Sequence, residues 1–138
     1  MKMRLLSVGL AVFAAGACGD SITAPAPMPR TIQVSPVGAF GPSGTVTLTN
    51  VAGSNSTLSA TLVGFDVSSS HAVAILLGSC AAQGSTAFTL ANITATSSGQ
   101  ATIPSTSVPD GVAAPGYAIV FYQNTSSTGN VIACGDLS

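Results

Sequence analysis

The chain has 138 residues with three lysines or arginines, four aspartates and one histidine, so its formal net charge is −1 at pH 7. Only 5% of residues are charged while 46% are hydrophobic, which leaves no basic patch for a nucleic-acid partner. The length suits a single domain.

The predicted elements begin with a targeting segment. Lys2 and Arg4 precede an apolar run, Leu5 to Ala17, of 13 residues. A membrane-spanning helix needs about 20 residues, so this run has the length of a signal-peptide core instead. It ends in Ala15-Gly16-Ala17 directly before Cys18, which resembles a bacterial lipoprotein lipobox, although Ala15 stands where leucine is commoner. The resemblance implies removal of residues 1–17 and a lipid on Cys18; the alternative is plain secretion with a free cysteine. Gly19, rather than aspartate, follows the cysteine. By analogy the expected destination is the outer membrane of the cell envelope. The mature chain then holds Arg30, Asp20, Asp66, Asp110 and Asp136, for a net charge of −3.

Residues 18–30 carry the lipidated cysteine and a Pro-rich tether, whose spaced prolines favour extended polyproline II geometry. A β-domain is expected over 31–138. Period-2 alternation, β-branched residues and Gly, Ser, Asn and Pro punctuation predict eight short strands. They are Thr31–Val37, Thr45–Val51, Ser56–Phe65, His71–Leu77, Thr86–Ile93, Gln100–Ser105, Gly116–Tyr122 and Val131–Cys134. Thr106 to Pro115 reads as an ordered crossover loop. Many short strands with turns between them predict an all-β Greek-key sandwich or flattened barrel.

Cys80 and Cys134 remain once Cys18 is acylated, and in an exported chain a disulfide is the default, with two buried thiols as the alternative. Three short motifs then fall into one pattern: Gly78-Ser79-Cys80, Gly116-Tyr117-Ala118-Ile119 and Ala133-Cys134-Gly135-Asp136. Together they resemble exported domains of the copper/zinc superoxide dismutase family and the related CHRD-type domains, over about Thr45 to Ser138. The resemblance implies a superoxide dismutase-like sandwich in which Asp136 fixes the terminus.

The same alignment places the family's metal-binding histidines at Ala74, Leu76 and Tyr122. None of these side chains ligates copper as imidazole does. His71, the single histidine, lies three residues before Ala74, so alternation sets it on the opposite face. One imidazole and scattered aspartates make no tetrahedral zinc site, so no metal and no cofactor are expected. If the family register holds, Ala74, Leu76, Val120 and Tyr122 share an outward face, while Val73, Ile75, Leu77, Ile119 and Phe121 point into the core. That outward face is a candidate binding face. Alternatively a loop such as Ser79–Ser85 covers it and makes a second small core.

Other chemistries find little support. No GxSxG elbow accompanies the serines. Asp66 and Asp110 have turn-like neighbours, which suits turns better than paired catalytic carboxylates. Asn55, Asn92 and Asn124 open Asn-X-Ser/Thr triplets, but chance accounts for them in so Ser- and Thr-rich a chain. The expected function is that of a non-catalytic, lipid-anchored envelope protein with a binding or structural role, its partner an envelope protein or a second copy. The alternatives are a dismutase-like redox enzyme with a divergent site around His71, and a self-associating adhesin.

Overall fold

The computed structural model describes residues 26–50 and 55–138. The expected signal segment, Cys18, most of the tether and Val51 lie outside these residues. Among the described residues no helix is long and apolar enough to cross a membrane.

Among the described residues ten strands form: β1 (Pro29–Pro36), β2 (Ser43–Thr49), β3 (Ser56–Val63), β4 (Ser70–His71), β5 (Val73–Gly78), β6 (Gln83–Thr89), β7 (Ile93–Thr94), β8 (Gln100–Val108), β9 (Tyr117–Tyr122) and β10 (Val131–Asp136). Eight of them hydrogen-bond in the order β6-β5-β9-β10-β1-β2-β3-β8, and β4 pairs with β7 apart. All pairings are antiparallel. The sheet curls on itself at β1. Its residues Pro29 to Val34 pair with β2, whereas Ser35 and Pro36 pair with β10. A strand that changes partners in this way turns the corner between two packed layers. The layers are β1-β2-β3-β8 and β6-β5-β9-β10. The chain crosses between them from β3 to β5, from β6 to β8 and again from β8 to β9, so the expected all-β sandwich is the fold observed.

Alternation explains the packing. Val46 and Leu48 of β2 are fully buried and face Ala60 and Leu58 of β3, while Thr45, Thr47 and Thr49 point outward. The inward residues of both layers, among them Ile32, Val34, Leu62, Val73, Ile75, Ile119 and Phe121, close one continuous core. Gly44 is required by close approach: a Cβ there would lie 2.2 Å from the Thr61 carbonyl oxygen.

Three departures from the sequence reading have local causes. The single strand His71–Leu77 is two, because the chain changes partners at Ala72. His71 pairs with Ile93, whereas Ala72 donates to the Asn124 carbonyl at 2.7 Å and accepts from the Tyr122 N–H at 3.0 Å. Likewise Thr86–Ile93 divides into β6 and β7. Residues Thr106 to Val108, expected in the crossover, extend β8 and pair with Leu58, Thr57 and Ser56. Pro104 is accommodated because β8 is an edge strand with a register shift opposite Leu58 and Ala60. The rest of the crossover holds a 3-10 turn, Asp110–Val112. It is ordered by Ser56 Oγ donating to Asp110 Oδ1 at 2.6 Å and by the Arg30 guanidinium donating to the Ala113 carbonyl.

Leu77 is a correction. Expected in the core, it is 50% exposed. It pairs with Tyr117 at the end of both strands, where the register of β5 against β6 also shifts. Its alternation is right, but the opposing layer no longer lies beneath it.

Candidate functional site

Strands β5, β9 and β10 bring the candidate residues together on the outer face of their layer. Ala74 lies opposite Val120, Leu76 opposite Ala118, and Cys134 opposite Val120 from the other side. Ala74, Leu76, Val120 and Tyr122 are therefore neighbours. With Ala72, Ala118 and Cys134 they form a second apolar cluster, separate from the main core. None of the four is more than 5% exposed. Of the two alternatives for this face, the structure has the covered one, a second small core.

The cysteines belong to this packing. Cys80 and Cys134 form a disulfide, with 5.7 Å between their Cα atoms. Cys80 and Val131 pack against the cluster. Gly78 makes the turn that carries Cys80 there: its φ is +104°, and a Cβ would meet the Ala82 carbonyl oxygen at 2.2 Å. A left-handed, crowded position of this kind suits only glycine. Asp136 completes the staple by accepting the Cys80 N–H at 2.7 Å. The Ala-Cys-Gly-Asp motif thus ties the turn after β5 to the last strand, where the sequence reading had Asp136 holding the terminus. Burial in this cluster pushes the Tyr122 hydroxyl above its ordinary pKa of 10.0, because the ionised form would lose water.

His71 lies on the other face, as alternation predicts, and is 3% exposed. Its Nδ1 faces the Tyr122 carbonyl oxygen at 2.8 Å and its Nε2 lies 2.6 Å from Ser69 Oγ. A carbonyl can only accept, so Nδ1 carries a proton. The ring packs on Phe65 with 4.6 Å between centroids. Ser69 Oγ also lies 2.5 Å from the Asp66 carbonyl oxygen, so its single hydroxyl proton serves one of these two contacts. Both ring nitrogens are therefore occupied by groups of the protein, and the imidazole holds β4 against the end of β9. Beside it, Phe40, Pro42, Phe65, Asp66 and Gln123 line a cavity of about 240 Å³. A larger hollow of about 450 Å³ lies next to the Cys80 turn, and Asp136 is the one charged side chain that lines it. Among the described residues no three His, Cys, Asp or Glu side chains cluster as a metal would need.

The sequence signal missed the role of Ala72 and Ala118 in the second cluster. Small residues flanking the candidate positions at period 2 were the available clue.

No family model matches the chain, and no curated protein matches it. The solved structures do include a likeness. The crystal structure of a SOD-like protein from Bacillus subtilis, a double mutant with two residues replaced by histidine, superposes with a TM-score of 0.59 at 13% identity. The match covers 78% of this chain and 95% of that one. At such identity the likeness is one of fold.

Proposed function

We propose that the chain is a non-catalytic, lipid-anchored cell-envelope protein whose superoxide dismutase-like sandwich has lost the metal site and serves a binding or structural role. The observation that carries this reading is the state of Ala74, Leu76 and Tyr122. The resemblance sets metal-binding histidines at these positions. Here they are apolar or phenolic, packed against one another and buried in a cluster that includes Cys134. A metal centre needs donor atoms facing a common point and, for chemistry, an open coordination position. A dry cluster of methyl and aromatic groups supplies neither. His71, the one imidazole, spends both nitrogens on Tyr122 and Ser69. The lipobox-like segment and the tether support export and anchoring, and the scarcity of charge suits a surface-attached β-protein.

The test is metal content and superoxide dismutation by the purified protein after incubation with copper and zinc. Neither stoichiometric metal nor activity is expected. One tightly held metal per chain would overturn the reading, and His71 would be the first residue to replace. Export and anchoring are tested separately: Cys18→Ala should move the protein out of the membrane fraction.

A further inference from the structure

The apolar side chains that this domain leaves in water are gathered at one end. Six large ones are exposed among the described residues, and four of these, Val37, Phe40, Val63 and Val67, are at that end. Phe40 is 93% exposed, Val67 65%, Val63 51% and Val37 49%. They come from the β1–β2 turn and from the end of β3 and the segment after it. The two segments touch, since a Cβ on Gly64 would meet the Gly41 carbonyl oxygen at 3.1 Å. The register of β2 and β3 fixes this, with Ser43 opposite Val63. Contiguous exposed apolar groups mark interaction sites, whereas scattered ones need no explanation.

Charge is distributed the opposite way. Of the charged residues in 26–138, Arg30, Asp110 and Asp136 lie at the far end, where β1 begins and β10 finishes. Asp66 alone accompanies the apolar tip. A tip without cations cannot be drawn to acidic headgroups and can enter a bilayer only through its apolar side chains.

The length of chain outside the structure decides which surface it meets. The tether from Cys18 reaches β1 at Pro29, at the end opposite Phe40. Eleven residues, the number from Gly19 to Pro29, can reach about 34 Å at the ~3.1 Å per residue of a polyproline II chain. Strand β1, with eight residues, spans only about 26 Å. The tether is therefore long enough to run back along the domain and let the tip face the membrane that holds the lipid.

We propose that the Phe40 tip, formed by Val37, Phe40, Val63 and Val67, is a second membrane contact that inserts shallowly into the same bilayer as the lipid on Cys18. This rests on the anchored reading above. The lipid on Cys18 holds the chain to the membrane but leaves the domain free to turn, and a second apolar contact fixes its orientation. Asp66 sets the depth, because carrying its carboxylate below the headgroups would cost desolvation.

The full-length chain contains no tryptophan, so Phe40→Trp installs a single reporter. Ser107→Trp, on β8 at the far end, is the control. Each variant, purified with its lipid, is reconstituted into phosphatidylcholine vesicles that contain a lipid bearing a quencher on its acyl chain. The expected result is a blue-shifted emission at position 40 that is lost to the lipid quencher, with emission at 107 unaffected and open to a water-soluble quencher. Emission at 40 quenched from water would overturn the proposal. So would emission at 40 shielded from both quenchers, which would assign the tip to a protein partner, and so would lipid quenching at 107 instead. Partitioning of Cys18→Ala is read in parallel. If it stays with the membrane as wild type does, the anchor reading fails; if it is released while wild type is retained with residue 40 in water, only the tip proposal fails.

Discussion

The Nδ1 of His71 donates to the carbonyl oxygen of Tyr122 across 2.8 Å, joining the short strand before β5 to the last residue of β9. The bond lies where the chain changes partners between β7 and β9, and the imidazole fills it from a buried position against Phe65. The histidine is thus an architectural group. Its replacement, His71→Ala, should cost about 2–4 kcal/mol, from lost packing and from buried hydrogen-bonding groups left unpaired. Urea unfolding of wild type and variant measures this; a difference near zero would show that the imidazole is not holding the junction.

The covered cluster and the half-exposed position beside it offer a paired test. Leu76 is 4% exposed and Leu77 is 50% exposed. Leu76→Ala should destabilise by about 2–4 kcal/mol, in the range for buried leucines. Leu77→Ala should lie much closer to the roughly 0.5 kcal/mol typical of surface changes. Equal effects, or the reverse order, would mean that the outer face is not packed as described.

The disulfide closes a loop of 54 residues in sequence separation. In the chain-entropy account such a cross-link is worth about 4 kcal/mol. Replacing Cys80 and Cys134 together by alanine should lower the denaturant midpoint accordingly, with part of the loss coming from the sulfur packing in the second cluster. Thiol alkylation without prior reduction should label neither cysteine in the wild-type protein; labelling of both would remove the bridge.

Alkali should act through Tyr122. Its folded pKa is raised by burial above 10.0. The stability this contributes is fully present below pH 10 and is lost as pH rises through the folded value, because the unfolded tyrosine ionises first. Thermal unfolding above pH 10 should therefore fall more steeply for wild type than for Tyr122→Phe. Identical slopes would place the hydroxyl in water.

How far the sequence carries can be judged from particular residues. Alternation at Val46, Leu48, Leu58 and Leu62 announced both the strands and their buried face, because side-chain direction in a strand is a local, period-2 property. The three short motifs pointed to the superoxide dismutase-like fold and to Ala74, Leu76, Val120 and Tyr122 as one face, since each motif is read along the chain. Partner exchange at Ala72, the half-exposure of Leu77 and the bond from Cys80 N–H to Asp136 were not legible there. Each depends on a segment distant in sequence: Asn124, the edge of the opposite layer, and the last strand. The same division holds for the candidate face itself. Residue types alone excluded imidazole ligation at Ala74, Leu76 and Tyr122, but that those side chains are kept from water was decided by the tertiary packing in which Cys80 and Cys134 take part. Burial is a property of what lies above a residue, and that is settled only when chains far apart in sequence come together.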